Sequence, residues 1–180
     1  NYNISSLEDI IKTININYEQ SYNGTTIPIN IQRKNYNNYK ETIENETLYI
    51  DIPQGIDNDE ILYINKKGNK YNDLISNLKL NINLIKSNNY SRNGLDIIKT
   101  INITFKESLI GFNKTFQHIN KKTYKITTIS GEIITPFTEK LLYKMGFIRN
   151  NYIGNLIIKF NIIYPKLLNN EQITILKKIL

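Results

Sequence analysis

The chain has 180 residues, 40% hydrophobic and 22% charged, enough to build one globular domain or two small ones. It contains no cysteine, which excludes disulfides, thiolate metal sites and a Cys nucleophile. A net charge of +7 favours acidic partners such as nucleic acid or an anionic surface, but the Lys and Arg residues are dispersed as on a solvated surface.

Asn1 to Asp9 is polar and reads as a frayed end. From Ile10 onward, Ile14 and Ile16 alternate with Asn15 and Asn17, the period of a strand. Tyr18 to Tyr22 fits one turn of helix, closed by the turn signal Asn23-Gly24. Ile27, Ile29 and Ile31 alternate with polar residues in a second strand. Pro28 makes it an edge strand, because proline cannot donate to a ladder. Arg33 to Glu46 reads as a charged loop. Leu48, Ile50 and Ile52 form a third strand that stops at Pro53-Gln54-Gly55. Ile61 to Ile64 is a fourth, and Leu78, Leu80, Ile82 and Leu84 a fifth.

Lys86 to Asp96 is rich in Asn and suits a domain junction. Beyond it the chain repeats itself. Ile14-Asn15-Ile16, Tyr18, Ser21, Gly24 and Ile29 return as Ile101-Asn102-Ile103, Phe105, Ser108, Gly111 and Phe116. The closing stretch Asn72-Asp73-Leu74-Ile75 is matched to Gly154-Asn155-Leu156-Ile157. Such a repeat predicts a mainly β chain of two tandem, similar, sandwich-like domains. Asn120-Lys121 is a hairpin turn. Thr138 to Met145 looks helical by propensity, but the repeat assigns it to strand and turn. After Tyr164-Pro165 the period changes. Asn169 offers a cap, and Ile173, Leu176, Ile179 and Leu180 recur at helical spacing in a short C-terminal helix. The expected units are residues 10–88, 95–166 and 168–180.

Catalytic and metal chemistry finds no foothold. His118 is the only histidine and sits in an alternating run, as a structural residue would. No phosphate-binding glycine loop is present. Asp57-Asn58-Asp59-Glu60 opens like a calcium loop but lacks the Gly and final Glu, so it reads as a polar turn. Not an enzyme, no cofactor and no metal are therefore the expectations. No apolar run approaches the roughly 18 residues of a membrane span. The chain begins at Asn1 and reads as a fragment without a targeting segment, for which a cytoplasmic location is expected.

Several short motifs, in order, resemble the C-terminal substrate-binding region of Hsp40 (DnaJ-type) co-chaperones. Tyr22-Asn23-Gly24 matches that family's Y-N-G turn, and Ile52-Pro53-Gln54-Gly55 its I-P-x-G. Tyr90-Ser91-Arg92-Asn93-Gly94-Leu95-Asp96 matches F-x-R-x-G-x-D. Thr104 to Phe112 is similar to S-F-K-E-S-L-L-G-F, and Gly154-Asn155-Leu156 to G-[DN]-L. The resemblance covers about Ile10 to Leu180. It implies two stacked β-rich domains and a dimerising C-terminal helix. The lack of Cys between Arg33 and Leu48 matches type II members, which have no zinc module. The J-domain that stimulates Hsp70 has no counterpart here.

The resemblance also implies partners and sites. Clients are unfolded polypeptides, delivered to Hsp70, and the assembly is a homodimer. The family's client groove lies between the first two strands of the first domain. Ile14, Ile29 and Ile31 fall on its lining and Tyr90 at its rim, and Ile16 extends the apolar face. Relatives grip the acidic tail of Hsp70 with Lys residues whose places are held here by Ile27, Pro28 and Asn30, leaving Arg33 and Lys34. Tyr164, Pro165, Ile173, Leu176, Ile179 and Leu180 are the expected dimer contacts. The alternative function is a β-rich binder of nucleic acid or an anionic surface. Thirteen Tyr and the basic charge speak for it, but no stripe of interleaved aromatic and basic residues emerges, so nucleic acid is the disfavoured partner.

Overall fold

A computed structural model describes residues 7–37, 40–129 and 131–179. The structure is mostly β, in two tandem units built to one plan. In the first, β1 (Ile10–Ile16) leads into the helix α1 (Tyr18–Asn23). The hairpin strands β2 (Thr25–Asn37) and β3 (Lys40–Ile52) follow, then β4 (Ile61–Ile64), β5 (Lys70–Tyr71), β6 (Leu74–Ile75) and β7 (Leu78–Leu84). After the short β8 (Ser91–Asn93), the second unit repeats the order. It has β9 (Asp96–Thr104), α2 (Phe105–Ile110), β10 (Asn113–Gln117), β11 (Thr123–Thr127), β12 (Glu139–Leu142), β13 (Ile148–Arg149), β14 (Tyr152–Ile153) and β15 (Leu156–Ile163). The helix α3 (Asn170–Ile179) closes the described chain.

Pairing repeats as well. β1 lies parallel to β7 with Ile14 opposite Ile82, and β9 lies parallel to β15 with Ile101 opposite Phe160. β4 and β12 flank β7 and β15 as antiparallel neighbours. The same polar clasp ties each parallel pair. Asp9 accepts from Asn77 N–H and Asn77 from Lys66 N–H; Asp96 accepts from Asn155 N–H and Asn155 from Lys144 N–H. Lys66 and Lys144 both sit in left-handed backbone, at φ 55° and 56°. The clasp corrects the alignment of the copies: the counterpart of Gly154-Asn155-Leu156 is Ser76-Asn77-Leu78. Asn72 to Ile75 corresponds instead to Asn150 to Ile153, with Asn72 and Asn150 both at positive φ.

Each small helix is held by a capping box. Asn17 and Gln20 exchange bonds at α1, and Thr104 and Glu107 at α2. Gly24 and Gly111 end them at φ 70° and 90°. The stretch from Glu139, helical by propensity, is strand β12, because its partner β15 overrides a weak local preference.

The first core packs Ile16, Ile29, Ile31, Leu48, Ile50, Ile52 and Ile56 against Leu78, Leu80, Ile82 and Leu84. The second gathers Ile97, Ile103, Phe116, Ile134, Phe147, Leu156, Ile158 and neighbours. His118 is buried beside it. Its Nε2 lies 2.8 Å from Met145 O, and Nδ1 accepts from Asn120 N–H, so the ring ties the turn after β10 to the segment between β12 and β13.

One segment departs from the sequence reading. Arg33 to Asn37 and Lys40 to Glu46 are paired strand in the far half of the β2–β3 ladder, not loop, with Arg33 opposite Glu44 and Asn37 opposite Lys40. Charged side chains mask the alternation, but they find partners: Arg33 pairs with Glu46 across the ladder, and Lys70 of β5 reaches Glu44 at 2.9 Å.

Candidate functional site

Among the open strand edges of the first unit, as far as its residues are described, those of β1 and β2 face a common groove. In the sheet β1-β7-β4, β1 is terminal. In the other sheet β2 pairs with β3 along its length, but on its second side, among the described residues, only Asn35 and Tyr36 pair, with β5. Antiparallel pairing directs the backbone groups of alternate residues to opposite edges. On β2, bonds away from β3 come from even-numbered residues: Tyr36 O accepts from Asn72, Lys34 N–H donates to Asn69, and Asn30 O accepts from Lys12 Nζ. Thr26, Pro28, Asn30 and Gln32 therefore present the open edge.

Two depressions of about 670 and 480 Å³ run along this edge and share Ile10 and Gln32. Ile10, Ile11, Lys12, Asn30, Ile31 and Gln32 line the first, with Asn45, Glu46 and Thr47 beside them. Leu7, Ile10, Arg33, Lys34, Tyr36 and Ile43 line the second, with Glu8 and Asn69. Ile11 and Ile43 are 63% and 58% exposed, far more than packing would leave them. Sequence reasoning missed Ile10, Ile11, Lys12 and Ile43. The available signal was a broken alternation: Ile11 and Ile43 are apolar at outward-facing strand positions.

The expected lining residues fare differently. Ile16, Ile29 and Ile31 are 0%, 5% and 2% exposed and belong to the core; only Ile31 also borders a depression. Ile14 is half-buried against the same core. These four do not form one pleated face, because β1 and β2 lie in different sheets and meet across the sandwich. Tyr90 lies away from both depressions. Its hydroxyl donates to Gln117 O at 2.5 Å, Lys99 sits 4.4 Å from its ring, and it packs on the second core. Arg33, expected at the Hsp70-tail site, is 3% exposed and paired with Glu46, since it occupies an inward position of β2. Lys34 is exposed, 3.6 Å from Glu41; that carboxylate and the neighbouring Tyr36 push its pKa up.

The motif residues around Arg92 build the joint between the units. The Arg92 guanidinium donates to Gly55 O (2.7 Å), Ile56 O (2.8 Å), Ser21 Oγ (3.1 Å) and Gly94 O (2.7 Å). It lies 3.4 Å from Asp57 and stacks 4.0 Å from the centre of the Phe147 ring. Burial pulls its pKa down, and Asp57 and Glu60 oppose that pull. Tyr18 and Tyr22 meet Phe147 edge-on from the other unit, and Arg149 reaches Glu60 at 2.7 Å. Gly55 has no room for a side chain: a Cβ would lie 2.2 Å from Ile148 O.

At the far end, α3 buries no residue. Ile173 and Ile179 are exposed, Leu176 is half-buried, and Tyr164 and Pro165 are exposed on the approach. Leu180 lies outside the described residues.

The DnaJ C terminal domain family matches residues 10–165, most of the chain. The chain belongs to that family. The protein is thus related to DnaJ chaperones and co-chaperones; in this chain β2 ends at Asn37, β3 begins at Lys40, and the sequence has no cysteine. It is 29% identical to DnaJ protein ERDJ3B of Oryza sativa subsp. japonica, over 79% of this chain and 42% of that protein. It is 34% identical to Protein SIS1 of Saccharomyces cerevisiae, over 47% of this chain and 24% of that one. Human DnaJ homolog subfamily B member 11 matches at 29%, over 76% and 38%. The chain thus spans less than half the length of the relatives it matches. Among the described residues no helix is long and apolar enough to cross a membrane.

Proposed function

We propose that this chain is the client-holding and dimerising part of an Hsp40 co-chaperone. It binds unfolded polypeptide segments and passes them to Hsp70. The observation that carries the reading is the open β2 edge facing the unpaired β1 edge across a groove that mixes apolar side chains with polar and charged ones. An extended segment adds to such an edge through main-chain bonds and places alternate side chains in the groove. The second unit offers a less open edge, since β8 pairs with β9 over Asp96 to Ile98. Ile10, Ile11 and Ile43 offer apolar contacts to client residues there. Each fully buried Leu or Phe contributes about 1.5–3 kcal/mol.

The division into residues 10–88, 95–166 and 168–180 is retained in this proposal, as is a homodimer through Tyr164, Pro165 and α3. A bare helix of ten residues is unstable in water without packing, so its apolar side chains need a partner surface. Delivery to Hsp70 rests on the family relationship, with Lys34 as the surface-exposed part of the expected tail site. The test is amide exchange of the full chain with and without a denatured client. Protection of the Asn30 and Gln32 amides supports the reading; client binding that leaves them unprotected overturns it.

A further inference from the structure

Lys12 stands where an apolar residue belongs. It shares the inward face of β1 with Ile10, Ile14 and Ile16, yet ends in an ammonium. None of the ion pairs among the described residues includes it. Its Nζ instead crosses from one sheet to the other and donates to Asn30 O on β2. That carbonyl points to the open edge, and Pro28 beside it has no N–H to offer. Lysine, proline and inward-pointing charge are the means by which natural sheets keep open edges from pairing at random.

We propose that Lys12 guards the open β2 edge: its ammonium closes the Asn30 carbonyl when no client is bound, and a docking segment must displace it. The inference rests on the groove reading above and adds its selectivity. A segment that adds to β2 needs its own N–H on Asn30 O, the acceptor that Lys12 holds. Only a strand that also bonds the Asn30 and Gln32 N–H groups and fills the groove recovers what the displaced ammonium loses. Short or weakly apolar segments do not.

The test is a fluorescence-anisotropy titration of the full chain with an uncharged heptapeptide that carries an uncharged boron-dipyrromethene label and Leu at alternate positions. Lys12→Ala removes the competing charged hydrogen bond without adding apolar length and is expected to bind about 3- to 10-fold more tightly. Lys12→Arg keeps the cation and its donors and stays within about twofold of the parent. Amide exchange at Asn30 and Gln32 shows in each variant whether the peptide occupies the edge. Protected amides with Lys12→Ala equal to or weaker than the parent overturn the guard and leave the groove standing. Peptide binding without protection in any variant overturns the groove itself.

Discussion

Replacing Arg92 by Ala should do more damage than any other single change outside the apolar cores. The side chain makes four hydrogen bonds, from 2.7 to 3.1 Å, and three of them end on the opposite unit, at Gly55 O, Ile56 O and Ser21 Oγ. Hydrogen bonds to a charged group are worth about 1.5–3 kcal/mol each, but taking the guanidinium out of water offsets much of that. What remains after truncation is the Gly55 and Gly94 carbonyls without this donor, Ile56 O with only the Ser21 hydroxyl, and a Phe147 ring without its cation. A loss of about 3–5 kcal/mol follows, the usual cost of breaking a buried charged cluster. For a chain of this size that corresponds to a melting point lower by roughly 6–20 °C. Arg92→Lys should recover at most half, because an ammonium cannot reproduce the planar fork that spans Gly55 O and Ile56 O. Urea denaturation followed by tyrosine fluorescence and far-UV circular dichroism measures both. The parent should unfold in one transition and the Ala variant in two, as the units uncouple. A variant within about 0.5 kcal/mol of the parent, or full recovery by Lys, would refute the assignment of Arg92 as the keystone.

Ile31→Ser should cost about 3–5 kcal/mol in stability, since the side chain is 2% exposed and Ser would bury a hydroxyl, so a thermal melt should detect it before any client assay. Glu107 is held below the ordinary 4.5 by the Thr104 backbone N–H at the cap, with Lys114 and the Thr104 hydroxyl helping, while burial opposes. Its contribution is therefore present above pH 4.5 and lost as pH falls through its lowered folded value; melts from pH 6 to 2 should show a shallower acid limb for Glu107→Gln. Truncation before Asn169 should convert a dimer to a monomer in sedimentation equilibrium; a truncated chain as dimeric as the parent would exclude α3 as the contact.

The sequence by itself determined the mainly β class, the tandem repeat, the turn that closes the segment after the first strand, and the start of α3. All of these are written in spacings of a few residues: alternation at Leu78 to Leu84, a turn at Asn23-Gly24, helical period after Asn169. The caps at Asn17 and Thr104 came from the structure. The tertiary structure decided which strands are neighbours. β1 pairs with β7, more than sixty residues along the chain, and not with β2, the next strand, so Ile14 and Ile29 face each other across a sandwich. Alternation cannot reveal this, because an inward Ile looks the same whether it meets a core or a ligand. The paired strand within Arg33 to Glu46 was hidden for a related reason: its inward positions carry Arg33, Glu44 and Glu46, whose charges are tolerable only because the fold brings them to partners. The roles of Lys12 and Arg92 were equally out of reach. Each acts on a backbone carbonyl of a distant segment, and carbonyls leave no mark on a sequence.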